Sequence, residues 1–173
     1  CRRVRNRLMG VSVPFVHMKA LLFEGSSLDN LTQAELIHSF IDIREDLEKM
    51  AYASYMAEIV DQMTEEREPL TSLFNLLLGC LLVLSEGHHP DVVVRYFDVN
   101  SLSILGYRPQ LDHCVKCGKE TDLTRISAIA GGMLCTSCGK QEQTSVSLSP
   151  GALQMLRRFL VTSVDRLKVL QVS

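Results

Sequence analysis

Residues 113 to 140 read HCVKCGKETDLTRISAIAGGMLCTSCGK and place four of the six cysteines in two Cys-x-x-Cys pairs, Cys114/Cys117 and Cys135/Cys138, seventeen residues apart. A redox site uses a single pair at the start of a helix, usually after a strand, where one thiol pKa is depressed. Two pairs in glycine-containing turns do not match that pattern. A disulfide framework suits a small secreted domain, whereas this chain has 173 residues and its basic start leads into no apolar signal segment. A metal clamp fits directly. Two residues between cysteines let both sulfurs curl around one ion, and two such knuckles give the tetrahedral sulfur site that zinc prefers. Gly118 and Gly139 each follow a pair, where a left-handed turn is easiest. The stretch from Ile126 to Met133, with Gly131 and Gly132, predicts a short strand and a turn back to the second knuckle. Four thiolates on one Zn2+ leave no open coordination position, so the site is expected to be structural and not catalytic. His113 is expected to be a bystander.

On the C-terminal side, SLSPGALQMLRRFL offers Ser149 as a cap and Pro150 at the first helical position, with Leu153, Leu156, Leu160 and Val164 on one face. On the N-terminal side, helix is expected from about residue 33 onward. Ile43, Leu47, Met50, Ala51, Ser54, Tyr55, Ile59 and Met63 recur at helical spacing over 41 to 63, with acidic residues elsewhere. Pro69 is expected in the first turn of a Leu-rich helix ending near Gly87, and a third helix is expected from Pro90 to Gly106. The twelve-residue run LFNLLLGCLLVL at 73 to 84 is shorter than the roughly 20 residues that cross a bilayer and reads as the central core helix, with Cys80 acting as a small hydrophobe. Before the helices, residues 16 to 22 alternate as a half-exposed strand does, Gly25-Ser26-Ser27 supplies a turn, and 28 to 31 a short return strand. A lone hairpin is marginal in water, and the chain starts at Cys1 rather than methionine. An absent upstream portion is therefore expected. The fold class is mainly α: a helical bundle with an inserted four-cysteine finger and a strand remnant in front.

Net charge is −2, but its distribution is uneven: five basic and no acidic residues in the first twenty, nine acidic against three basic over 41 to 70, four basic against two acidic over 114 to 140. Such segregation points to polyanion binding on one surface or to solvated faces alone. The acidic helix is suited to protein contacts or plain solvation. His88-His89 belongs to no catalytic grouping, and the His-x-Glu of a zinc deaminase is absent.

The stretches GSSLDNLTQAELIHSF (25–40), REDLEKMAYASYMAEIVDQMTEEREP (44–69), LGYRPQLDHCVKCG (105–118), GGMLCTSC (131–138) and LSPGALQMLRR (148–158) together resemble the bacterial RecO family of recombination mediators over nearly the full length. The resemblance implies an N-terminal OB-fold, a helical domain and a zinc finger. It divides the chain into a partial OB-fold at 1–32, a helical domain at 33–112 and 141–173, and the finger at 113–140, with most of the barrel lying upstream. It implies a non-enzymatic, cytoplasmic, nucleoid-associated protein that binds single- and double-stranded DNA and promotes annealing. With RecR, such a protein helps RecA replace single-strand-binding protein, whose C-terminal tail is a further partner. No membrane is involved. The DNA-contacting residues are expected among Arg2, Arg3, Arg5, Arg7 and Lys19, which would belong to an OB groove, and among Lys116, Lys119, Arg125 and Lys140 around the finger. The alternative is a zinc-stabilised protein-interaction adaptor with no direct DNA binding.

Overall fold

The computed structural model describes residues 12–25, 28–65 and 68–169. Cys1 and the arginine arm (Arg2, Arg3, Arg5, Arg7) lie outside them.

Strands β1 (His17–Phe23) and β2 (Asn30–His38) form an antiparallel hairpin. β2 occupies residues assigned above to helix, and the expected boundary at residue 32 falls inside it. The cause lies in the pairing: Met18 faces Leu36, Ala20 faces Ala34 and, past an irregularity in register, Leu22 faces Leu31, so apolar residues meet across the two strands. The chain then turns at Phe40, a buried residue with φ of 45°, held by the Arg44 guanidinium, which donates to the carbonyls of Pro14, Phe15 and Ser39.

The single helix expected over 41 to 63 is two helices, α1 (Ile41–Arg44) and α2 (Leu47–Met63). Asp46 breaks them. Its carboxylate accepts from the N–H groups of Glu48 (2.9 Å) and Lys49 (3.1 Å), the N-cap arrangement. The inward face also differs from expectation. Ala53 and Met56 are buried, with Tyr52, Ile59 and Val60 packed beside them, while Leu47, Tyr55 and Met63 are exposed. Apolar residues surround α2 on most sides, so spacing alone does not select its buried stripe.

α3 (Thr71–Ser85) follows, starting two residues after Pro69, with Leu70 as its cap. It is the central helix, burying Leu73, Leu76, Cys80, Leu81, Val83 and Leu84. α4 (Pro90–Ile104) places Val93, Tyr96 and Phe97 against it. Together with Phe40, Ile43, Phe159 and Leu167 these side chains make the body's core.

The finger is a three-stranded antiparallel sheet, ordered β4-β3-β5, of β3 (Leu123–Ser127), β4 (Gly132–Cys135) and β5 (Val146–Ser147), with a short helix α5 (Thr136–Lys140). It exceeds the span 113–140, since β5 lies beyond it and Gln110 bridges to Gly132 before it. The last helix, α6 (Pro150–Val161), is capped by Ser149 and serves both units. Leu153, Leu156 and Leu160 pack on Leu111 and Met133 of the finger side, while Phe159 joins the body and meets Tyr96 edge to face at 5.7 Å. Val164 is not on that face. It lies in a 3-10 turn (Val164–Val169) against Gly79 of α3, where no side chain intervenes.

Candidate metal centre and its surroundings

The first knuckle is built by backbone geometry. The amide of Gly118 donates to the Cys114 carbonyl and that of Cys114 to the Lys119 carbonyl, both at 2.8 Å, and Gly118 adopts φ of +75° as expected. Val115 donates to Met133 at 2.9 Å, fastening this knuckle to β4. The second knuckle differs from expectation, because Cys135 caps α5 and Cys138 lies within it. Gly139 is not left-handed. It is a buried helical residue whose missing side chain makes room for the stem of Arg125. Asp122, with φ of 59°, accepts on its carbonyl from the Thr136 N–H (3.1 Å) and on its carboxylate from the Thr136 hydroxyl (2.9 Å), which fixes the start of α5.

These elements bring the sulfurs of Cys114, Cys117, Cys135 and Cys138 within 4.8 Å of one another, with Cys117 and Cys135 at 3.8 Å. Zn–S bonds of about 2.3 Å in a tetrahedron separate sulfurs by about 3.8 Å, so the cage is of the size such an ion needs. Cys114 and Cys135 are buried, Cys138 is half-buried and Cys117 is exposed. The helix-start position of the second pair is the setting of a redox motif, but the first pair's sulfurs complete a cluster that a two-thiol redox site lacks.

The thiol chemistry is split. The Ser137 hydroxyl, 3.2 Å from Cys135, and the Cys138 amide pull the Cys135 thiol down to about 6, while hydrogen bonding with the Cys135 and Cys117 sulfurs pushes Cys138 up to about 12. For Cys114, burial opposes ionisation, but the amides of Cys135, Lys116 and Cys117 outweigh it and lower its pKa. Cys117 is raised: the Lys119 amide favours its thiolate, but the surrounding sulfurs prevail. The four thiols are thus unequal in acidity, and a bound divalent cation would favour the thiolate form of all four.

A family profile described as "Recombination protein O C terminal" matches residues 44–173. The chain belongs to the RecO family. It is 38% identical to the DNA repair protein RecO of Symbiobacterium thermophilum over 177 aligned residues, covering 99% of this chain and 70% of that one. The RecO proteins of Bacillus pumilus and Bacillus subtilis are 37% and 36% identical, covering 96% of this chain and 65% of theirs. The chain thus spans roughly two thirds of its RecO relatives.

The RecO-like cations expected at the finger differ in their freedom. Lys116 donates to Glu142 at 2.8 Å, and Lys119 lies 3.8 Å from Asp122. Arg125 donates to the Ser145 hydroxyl (2.7 Å), the Ser145 carbonyl and the Ser147 hydroxyl (3.1 Å), clasping β3 to the segment after α5. Lys140 is exposed, as is Lys19 on β1, opposite Glu35 in the hairpin. Phe15 packs on the helical core. Sequence reasoning missed Ser137, Thr136, Asp122 and Glu142, which shape the clamp. Thr136 and Ser137 were findable, since both lie inside the second pair. The others are joined to the clamp by a sheet register that spacing does not reveal.

Proposed function

We propose that the chain is a non-enzymatic recombination mediator that binds single- and double-stranded DNA, promotes annealing and, with RecR, helps load RecA onto DNA coated by single-strand-binding protein. The observation that carries this reading is the family match, which runs unbroken from the helical body through the finger to the last residue. The clamp supports the non-enzymatic part: four sulfurs converge on one point, so an ion held there has no position left for substrate or water. We assign that ion as one structural Zn2+ held by Cys114, Cys117, Cys135 and Cys138. The hairpin is read as the end of an OB barrel, the remaining cations as its phosphate contacts, and the bacterial cytoplasm and nucleoid as its place. Among the described residues, no helix is long and apolar enough to cross a membrane.

One observation favours the second reading, a protein adaptor without DNA contact. Lys116, Lys119 and Arg125 are engaged within the finger, which lowers the positive charge it offers to a phosphate. Fluorescence anisotropy with labelled single-stranded DNA at low and raised salt separates the two. A mediator that neutralises several phosphates binds at low salt and weakens steeply as salt rises. An absence of salt-sensitive binding would leave the adaptor.

A further inference from the structure

We infer that Tyr107 and Arg108, at the crease between the helical body and the finger, form a contact site for single-stranded nucleic acid. Tyr107 stacks on an unpaired base and Arg108 meets the adjoining phosphate. This rests on the reading of the chain as a DNA-binding protein and names a surface for it away from the hairpin and the finger cations.

The backbone here is fixed. Just past α4 and its cap Leu105, Gly106 adopts φ of +89°; the Tyr107 amide donates back to the Leu102 carbonyl at 2.8 Å and that of Gly106 to the Ser103 carbonyl at 3.4 Å. This is the double closure of a Schellman turn. In that motif the residue after the glycine usually folds its side chain onto the helix. Tyr107 does not, remaining 69% exposed. The other three tyrosines are all tied: Tyr52 to Asp91, Tyr55 to Asp98 and Tyr96 to the Thr162 carbonyl. The Tyr107 hydroxyl has no partner among the described residues. Pro109 then stiffens the chain as Gln110 docks on β4 through Gly132. An aromatic ring presented on a rigid backbone loses little freedom when a base stacks on it.

Arg108 is exposed and makes no ion pair or hydrogen bond among the described residues. Its side chain borders a cavity of about 260 Å3 shared with Pro109, Arg157, Leu160 and Val161. Arg157 is held on the Leu111 carbonyl, 2.6 Å from one guanidinium nitrogen, and lies 3.4 Å from Asp112, the one carboxylate on this cavity. Two guanidinium groups against one carboxylate leave the crease positive. Its apolar wall, with Val161 80% exposed, suits the face of a base better than the closed stack of a duplex.

The test is a titration of labelled oligothymidylate of about 20 nucleotides, and of a duplex of equal length, with the zinc-loaded chain. Tyr107→Ala is expected to weaken single-strand binding by about 5- to 100-fold and leave duplex binding within about twofold, with Tyr107→Phe close to wild type. Arg108→Ala is expected to weaken both and to reduce the salt slope by about 1. If the wild-type chain binds neither DNA, the DNA-binding reading fails and this site with it. Wild-type binding that Tyr107→Ala leaves intact, or weakens equally on both DNAs, overturns the site alone.

Discussion

At the scale of single residues, the clamp and the caps dominate. Cys135 is buried and joined to Ser137 and the opposite sulfur Cys117, so Cys135→Ser removes a ligand that no neighbouring cysteine can replace. Native mass spectrometry is expected to show the variant without zinc where the wild type holds one ion. Asp46→Ala deletes the acceptor for two α2 amides and is expected to cost about 1 kcal/mol in urea unfolding. Asp46→Asn should recover most of that. The cysteine cluster was legible from spacing because knuckle geometry is local. Ser149 and Pro150 were legible for the same reason. Asp46 was not, because an aspartate within a run of acidic residues carries no mark of which one the chain turns to face its own amides.

Among elements, the error at residues 33 to 38 is informative. Leu31, Ala34 and Leu36 satisfy a helical spacing about as well as an alternating one, and only the partner strand, with Met18, Ala20 and Leu22 opposite, decides between them. The buried face of α2 was hidden in a similar way, since its contact with α3 and α4 selects Ala53 and Met56 over the more apolar Leu47. The junction between β4 and the strand-like entry to the finger at Gln110 was illegible too, and Gly132 makes it possible. A Cβ on Gly132 would stand 2.9 Å from the Gln110 amide nitrogen and closer still to its carbonyl. Backbone cannot swing away as a side chain can. Gly132→Ala is expected to cost about 1 to 3 kcal/mol and to increase hydrogen exchange at residues 110 and 133, whose amides bond across this junction.

Across the whole molecule, two units with separate interiors share α6. The body's core, from Phe40 through Phe97 to Leu167, contains no side chain of the finger, and the finger's own interior is small: Leu111, Met133 and Leu153 in one cluster and Leu134 beside the sulfurs in another, with Leu123, Ile126 and Leu148 partly buried around them. The body should therefore stand without metal and the finger should not. Chelation is expected to raise hydrogen exchange across 110 to 148 while the amides of α3 stay protected. Phe97→Ala reverses the pattern, costing about 3 to 5 kcal/mol in the body and leaving bound zinc in place. X-ray absorption at the zinc edge of the purified chain tests the closed site directly. Four sulfurs at about 2.3 Å and no lighter neighbour are the predicted result; a nitrogen or oxygen ligand in that shell, or a chain that holds no zinc, would contradict it.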